Sequence, residues 1–107
     1  FWAAWCAPCR TENPKLVEAY EKYSDEGFEI YQVSLDQTRE AWLDGISEDK
    51  IGDWIHVSDL KYWSSAVVPL YGINSIPANY LLDADGRIIA TNLRGEALTQ
   101  KLAEIFE

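Results

Sequence analysis

Sulfur is scarce in this chain of 107 residues, which has no methionine and only two cysteines. A fold stapled by disulfides usually contains four or more cysteines, so two argue against that class. The chain also has a single histidine, which leaves a zinc site on the cysteines short of ligands. We therefore expect no metal and no cofactor. Because methionine is absent, we expect that Phe1 is not the native start.

Basic residues are few as well, since 9 lysines and arginines stand against 18 acidic residues and the net charge is −9. An acidic surface repels phosphate, which makes nucleic acid and anionic membranes poor partners. No apolar run approaches the ~20 residues that a membrane-spanning helix requires. We therefore expect membrane attachment only through an N-terminal anchor upstream of Phe1, if there is one.

The length is enough for one domain core and too short for two. Apolar residues make up 48% of the chain and charged residues 25%, which is the composition of a globular protein rather than a disordered tail. These figures predict a single domain over residues 1–107, and we expect it to be a monomer.

The hydrophobic pattern alternates between strands and helices without an internal repeat. Phe1–Ala3 has the pattern of a buried strand that is truncated at its N-terminal end. The other predicted elements are a helix over 7–23 bent near Pro14, a strand over 28–33, a helix over 39–50, a short strand over 54–57, a short helix over 66–71, a hairpin of strands 79–82 and 87–91, and a last helix over 96–106. This order predicts an α/β fold in which helices cover a mixed sheet.

The two cysteines stand three positions apart where the first predicted strand passes into the first predicted helix. Cys6 then lies at the helix N-terminus, whose free N–H groups and dipole lower a thiol pKa from ~8.5 into the range ~3.5–7.5. Cys9, one turn further on, can attack a mixed disulfide and release the product. Cys6 is the predicted nucleophile and Cys9 the predicted resolving thiol. A static disulfide is the alternative, although so short a loop adds little stability.

The stretch WCAPC at residues 5–9, followed by Arg10 and Pro14, resembles the active site of the thioredoxin superfamily. Far downstream, Ser75-Ile76-Pro77 is similar to the cis-proline loop of that superfamily. The resemblance therefore joins two parts of the chain that are about 70 residues apart.

Two further segments narrow the resemblance. Residues 85–89 are similar to the final hairpin of the superfamily, and residues 36–71 are similar to a β-α-β insertion that ordinary thioredoxin lacks. With this insertion the chain is most similar to the TlpA/ResA-type thiol–disulfide oxidoreductases, within the broader redoxin group. The resemblance implies a thioredoxin-like three-layer fold with a mixed central sheet.

The resemblance also implies roles for residues around the cysteines. The Ile76–Pro77 bond should be cis, whereas trans is the usual form on the residues alone. This places the backbone of Ile76 beside Cys6, where an incoming peptide can pair with it. Trp5 should contact substrate, or else serve packing alone, and Pro8 suits the first turn of the helix.

One acidic residue is expected to assist proton transfer. Thioredoxins carry a buried acid in the strand before the active site, a position that would fall at or before Phe1. ResA-like proteins instead place an acid after the second strand, where this chain has Asp36. Asp36 is thus the predicted proton shuttle, and capping of the following helix is the alternative.

The implied function is an enzyme that exchanges disulfides with protein partners, as a reductant, and is recycled by a redox partner. The resemblance implies that it works outside the cytoplasm, in the bacterial periplasm or cell envelope. One alternative is a peroxiredoxin-like peroxidase, but these have Thr-x-x-Cys where this chain has Ala3-Ala4-Trp5-Cys6. Another is a non-catalytic redox-sensing domain. We predict that Trp42, Trp54 and Trp63 serve packing, and we assign no catalytic role to His56.

Overall fold

Helices and strands alternate along the chain in the computed structural model, which describes residues 1–107. The helices are α1 (Ala7–Tyr23), α2 (Arg39–Asp49), α3 (Val67–Tyr71) and α4 (Gly95–Phe106). The strands are β1 (Tyr31–Ser34), β2 (Ile55–Ser58), β3 (Tyr80–Leu82) and β4 (Ile88–Thr91), and short 3-10 turns cover Ser24–Glu26 and Tyr62–Ser64. None of the helices has the length and the apolar character needed to cross a membrane.

The strands form two ladders of opposite type. β1 and β2 run parallel, with Tyr31 opposite Ile55. β3 and β4 run antiparallel, with Tyr80 opposite Thr91 and an irregularity in register further along β3. The parallel pair follows from the long connection through α2, and the antiparallel pair follows from the tight turn after β3.

Residues 1–3 lie between the two ladders and hydrogen-bond to both. The Trp2 N–H donates to the Val33 carbonyl at 3.0 Å, and the Leu35 N–H donates to the Trp2 carbonyl at 2.8 Å. On the other side, the nitrogen of Phe1 donates to the Ala78 carbonyl at 2.9 Å. The first residues therefore link β1, through an isolated parallel bridge between Trp2 and Ser34, to the segment before β3. The predicted α/β fold is confirmed, with its strands in one parallel and one antiparallel pair.

Most element boundaries fall within a few residues of the prediction, and the largest difference is at the start of β1. The strand predicted from residue 28 begins at Tyr31. The Phe28 N–H still bonds back to the Tyr23 carbonyl at 3.2 Å, and the Ile30 N–H bonds to the Glu29 side chain at 3.1 Å. Because these local hydrogen bonds engage the backbone N–H groups of residues 28 and 30, β1 does not begin until Tyr31.

The first helix has the predicted bounds, Ala7–Tyr23. α1 is continuous through Pro14, which lies inside it without ending it. α2 begins after Thr38, whose hydroxyl accepts a hydrogen bond from the Ala41 N–H at 3.2 Å. It ends at Lys50, which was predicted as helical but is the C-cap in the left-handed region with φ 58°.

Two apolar clusters hold the fold together. The larger one surrounds the first residues and the cysteines, and its buried members are Trp2, Ala3, Cys6, Cys9, Ile30, Leu35, Trp42, Ile51 and Trp54. The smaller one joins α1 to α4 through Ala19, Tyr23, Leu98 and Leu102. Because the cysteines belong to the larger cluster, the packing of the core also positions the sulfur atoms.

Gly45 of α2 marks a close approach to the segment that precedes the cysteines. A Cβ atom at this position would lie 2.7 Å from the Cβ of Ala4 and 3.2 Å from the indole of Trp2. Any larger residue would push α2 away from that segment, since atoms do not approach so closely without displacement. Glycine therefore lets α2 pack directly against residues 2–4.

His56 lies on β2 between two indole rings, with centroids 6.1 Å from Trp54 and 6.4 Å from Trp2. Its Nε2 lies 2.6 Å from the Ile51 carbonyl oxygen and therefore carries the hydrogen of that bond. The other ring nitrogen is buried without a partner. Burial lowers the pKa of His56 below its ordinary value of 6.5, although the bond to Ile51 opposes this effect.

We expect the free energy of unfolding to decrease as the pH falls below about 6.5, since the unfolded chain takes up a proton that folded His56 resists. At higher pH the imidazole is neutral in both states and this effect disappears. Urea denaturation at about pH 7.5 and about pH 5.5 measures the difference. The variant His56→Gln retains an N–H donor for Ile51 and should lose this part of the pH dependence. An identical pH dependence in both proteins would contradict the prediction.

Candidate active site

Cys6 occupies the N-cap position of α1, which is where the sequence predicts it. Its backbone is extended, with φ −93° and ψ 102°, and its sulfur accepts a hydrogen bond from the Cys9 N–H at 3.3 Å. Pro8 lies in the first turn, where a missing N–H costs nothing. The helix N-terminus therefore directs an N–H group at the Cys6 sulfur, an arrangement that stabilises a thiolate.

The two sulfur atoms are joined in a disulfide, with Cα atoms 5.3 Å apart. Both residues are buried, and Cys6 is 5% exposed against 1% for Cys9. Cys6 is thus the more accessible residue of the pair, but by a small margin. The neighbouring Trp5 is 48% exposed, so an exposed indole lies next to the accessible end of the pair.

The loop at residues 75–77 comes within reach of the cysteines despite its distance along the chain. The Cys6 sulfur lies 3.7 Å from the carbonyl oxygen of Ile76, and the Ile76–Pro77 bond is cis. Arg94 holds the same loop, since its guanidinium donates to the Pro77 carbonyl at 2.9 Å. The structure therefore brings together the two motifs that carry the resemblance.

A cavity of about 130 Å³ lies behind Cys9. Its walls include Cys9 and two polar residues of α1, Glu12 and Asn13. Glu12 is 8% exposed, and its carboxylate accepts a hydrogen bond from the Gly95 N–H at 2.8 Å. Glu12 is the one carboxylate that is buried and lines the same cavity as Cys9.

Glu12 was not among the residues predicted from the sequence. A signal was present, because Glu12 follows Cys9 by three positions and therefore lies on the same side of α1. An acidic residue on the predicted buried side of a helix is unusual and indicates a function or a specific partner. The spacing therefore contained the information that the prediction missed.

Asp36 is fully buried but lies elsewhere in the site. Its carboxylate accepts hydrogen bonds from the Ala4 N–H at 3.0 Å and from the Ser34 hydroxyl at 2.5 Å. It does not line the cavity behind Cys9. The alternative role, capping of the following helix, is wrong because Thr38 is the N-cap of α2. Asp36 instead fixes the backbone two residues before Cys6.

Arg10 fixes the same segment from the other side. Its guanidinium donates to the Ala4 carbonyl at 2.9 Å and forms ion pairs with Glu48 at 2.7 Å and Asp49 at 2.8 Å. The hydrogen bond to Glu48 outweighs partial burial and raises the pKa of Arg10. Arg10 thus connects α1 to α2 and to the chain before the cysteines.

This geometry agrees with comparisons against known proteins. The family described as Thioredoxin-like matches residues 1–88. The fold is that of a thioredoxin-like α/β domain with its cysteine pair at the first helix. The chain belongs to the thioredoxin-like family.

Two named relatives are similar to this chain over nearly its whole length. The chain is 30% identical over 112 residues to the thiol-disulfide oxidoreductase ResA of Bacillus thuringiensis subsp. konkukian, covering 100% of this chain and 59% of that protein. It is 38% identical over 110 residues to nucleoredoxin of Danio rerio, covering 99% of this chain and 25% of that protein. The chain therefore spans about three fifths of the ResA relative and a quarter of the nucleoredoxin.

Two solved structures are similar to this chain over about three quarters of their own length. A thiol-disulfide oxidoreductase from Bacteroides fragilis NCTC 9343 is 39% identical, with a TM-score of 0.89 over 98% of this chain and 77% of that one. The thioredoxin domain of a thiol-disulfide oxidoreductase from Bacteroides vulgatus is 37% identical, with a TM-score of 0.90 over 100% of this chain and 76% of that one. The chain is thus similar in fold and sequence to proteins with this name.

Proposed function

We propose that the protein is a thiol–disulfide oxidoreductase that reduces disulfides in partner polypeptides through Cys6 and Cys9. The observation that carries this proposal is the position of the Cys6 sulfur, at the N-terminus of α1 and 3.7 Å from the Ile76 carbonyl. An anion-stabilising helix end and a backbone segment without backbone hydrogen bonds then meet at one sulfur atom. The names of the relatives support the same activity.

The proposed reaction takes place in two exchange steps. In the reduced protein, the Cys6 thiolate attacks a sulfur of the partner disulfide, and the first partner thiolate leaves. Cys9 then loses its proton and attacks the Cys6 sulfur, which releases the second partner thiolate and forms the Cys6–Cys9 disulfide. Two electrons pass to the partner, and a second redox protein must return them to the cysteine pair.

We assign the proton of Cys9 to Glu12 rather than to Asp36. Cys9 is buried, so its proton needs an acceptor inside the protein before Cys9 can attack. Glu12 lines the cavity that Cys9 lines, and only one of its oxygens accepts a hydrogen bond, from Gly95, while the other lies 3.8 Å from the Lys15 ammonium. Asp36 does not line this cavity, and both of its oxygens accept hydrogen bonds from Ala4 and Ser34. The cavity offers a path for the proton from Cys9 to Glu12.

The peptide segment of the partner is expected to pair with Ile76. Ile76 makes no hydrogen bond to another backbone group, and its carbonyl faces the Cys6 sulfur. Pro77 has no N–H group, so it adds no competing donor beside the sulfur. An extended segment that adds to this edge would bring its own sulfur to Cys6. Trp5, beside Cys6, is placed to contact the same segment.

We further propose that the domain works as a monomer outside the bacterial cytoplasm, in the periplasm or cell envelope. The resemblance to TlpA/ResA-type proteins supports this location. The negative net charge of −9 supports protein partners rather than nucleic acid.

Reduction of insulin in the presence of excess dithiothreitol tests the activity. We expect the wild-type protein to accelerate insulin precipitation and Cys6→Ser to leave the rate at that of dithiothreitol alone. Hydrogen peroxide consumption should stay at the background rate, since Ala3 stands where peroxiredoxins have threonine. Peroxide turnover without insulin reduction would favour the peroxidase. Absence of both activities, with a cysteine pair that still oxidises, would favour the redox sensor.

A further inference from the structure

Three aromatic side chains form a contiguous surface next to Cys6, here called the aromatic patch: Trp5, Tyr62 and Trp63. The centroid of Trp5 lies 5.4 Å from that of Tyr62 and 6.5 Å from that of Trp63, and Tyr62 and Trp63 are 6.2 Å apart. Trp5 is 48% exposed and Tyr62 is 38% exposed. Trp63 is half-buried and packs on the larger apolar cluster. The patch is therefore anchored in the core and open to solvent.

The loop that presents Tyr62 and Trp63 is held in one conformation by Asp59. One carboxylate oxygen of Asp59 accepts from the Ser65 hydroxyl at 2.9 Å and from the Ala66 N–H at 3.3 Å. The other accepts from the Lys61 N–H at 3.2 Å. Ser65 itself is 2% exposed, so the far end of the loop is fixed in the core. Tyr62 and Trp63 are presented by a preorganised segment.

The backbone of this loop is strained at two positions. Leu60 has φ 60° and Tyr62 has φ 55°, in the left-handed region that costs free energy for residues with a Cβ atom. Strained residues persist where the surrounding contacts fix them, and they cluster at binding and catalytic sites. The ring of Tyr62 is not buried in the core but packs against Trp5 at the surface.

We propose that the aromatic patch docks a bulky apolar side chain that flanks the reactive cysteine of the partner polypeptide. This inference rests on the proposed disulfide exchange at Cys6. Trp5 directly precedes Cys6 and is 48% exposed, so a polypeptide whose sulfur reaches Cys6 approaches the patch. The three rings carry no charge, and the one carboxylate of the loop is engaged by the loop itself. The patch therefore suits an apolar side chain and selects polypeptide disulfides over small ones.

Reduction of three synthetic peptides tests this inference. Each peptide contains one internal disulfide and has leucine, serine or arginine next to the attacked cysteine. We expect the wild-type protein to reduce the leucine peptide with the highest kcat/KM. Tyr62→Ala should lower kcat/KM for that peptide about tenfold, through KM, which corresponds to about 1.4 kcal/mol of lost binding. The serine peptide and the reaction with dithiothreitol should be unaffected.

Two variants serve as matched comparisons. Tyr62→Phe should behave as wild type, because it keeps the ring that packs against Trp5. Ile105→Ala removes an exposed apolar side chain of α4 outside the patch and outside the cavity behind Cys9, and should leave the preference for leucine intact. Tyr62→Gly removes the same ring while relieving the left-handed backbone, so it replaces Tyr62→Ala if alanine impairs folding.

Several results would overturn the inference. A preference for leucine that survives Tyr62→Ala, or an equal loss with every peptide and with dithiothreitol, would show that the patch does not select substrates. A preference for the arginine peptide that Tyr62→Ala removes would replace the apolar contact with a cation–π contact. A wild-type protein that reduces neither these peptides nor insulin would overturn the proposed function itself, and the inference with it.

Discussion

Cys9→Ser should accumulate mixed disulfides with partner proteins, whereas Cys6→Ser should accumulate none. The reason is the division of the two steps between the sulfur atoms. With Cys9 replaced, Cys6 still attacks, but nothing inside the protein attacks the Cys6 sulfur afterwards. With Cys6 replaced, the remaining Cys9 is 1% exposed and has no access to a partner. Insulin reduction should fall to the uncatalysed rate in both variants.

The products are measured by non-reducing electrophoresis after incubation with a disulfide-containing protein, and mass spectrometry identifies the linked cysteine. The double variant Cys6→Ser with Cys9→Ser provides the control for non-specific adducts. Adducts on Cys9 in the Cys6→Ser variant, at the level seen for Cys6 in Cys9→Ser, would show that the two sulfurs are equally accessible. The assignment of nucleophile and resolving thiol would then be wrong.

Local signals were enough to predict the elements that position the cysteines. Pro8 in a first turn and the apolar spacing of residues 16–23 indicate the start and the buried side of α1, and the structure has both. The hairpin after Tyr80 has a glycine in its turn, at Gly86 with φ 85°. Such features depend on residues that are close in the sequence, so periodicity and turn chemistry reveal them.

The contacts of the acidic residues depend on tertiary structure and were not predicted from the sequence. Asp36 stands before a helix and therefore has the sequence context of a cap, yet its carboxylate turns inward to Ala4, 32 residues away. Glu12 lies on the predicted buried side of α1, but its hydrogen-bond partner Gly95 is 83 residues away. Neither partner is visible in a local pattern, because only the folded chain brings these segments together.

The aromatic patch also escaped prediction from the sequence. Trp63 is a large apolar residue of the kind that usually packs in a core, and the structure confirms that it packs on the larger cluster. Tyr62 is kept at the surface by a left-handed backbone, a conformation that no tyrosine adopts by preference. The Ser65 hydroxyl at the end of the loop donates to Asp59 and stabilises the loop that contains Tyr62. The aromatic patch therefore depends on tertiary contacts, which the hydrophobic periodicity of the sequence does not reveal.

Exchanging the two buried acids for their amides should separate proton transfer from folding. We expect Glu12→Gln to fold normally, because the amide oxygen of glutamine can still accept from the Gly95 N–H. It cannot take the proton of Cys9, so kcat for insulin reduction at neutral pH should fall about a hundredfold. In the wild-type protein, the Ala4 N–H and the Ser34 hydroxyl donate to the two carboxylate oxygens of Asp36. Asp36→Asn offers these donors a single carbonyl oxygen. This loss should lower the free energy of unfolding by about 1–3 kcal/mol.

Urea denaturation and single-turnover kinetics at several pH values measure both effects on the same proteins. Glu12→Gln should reach the mixed disulfide as fast as wild type and resolve it slowly, with a rate that rises with pH as hydroxide removes the Cys9 proton instead. Asp36→Asn should resolve the mixed disulfide at the wild-type rate in the folded fraction. If Asp36→Asn slows resolution and Glu12→Gln does not, the proton of Cys9 passes through Asp36. The cavity that links Cys9 to Glu12 would then have no part in the reaction.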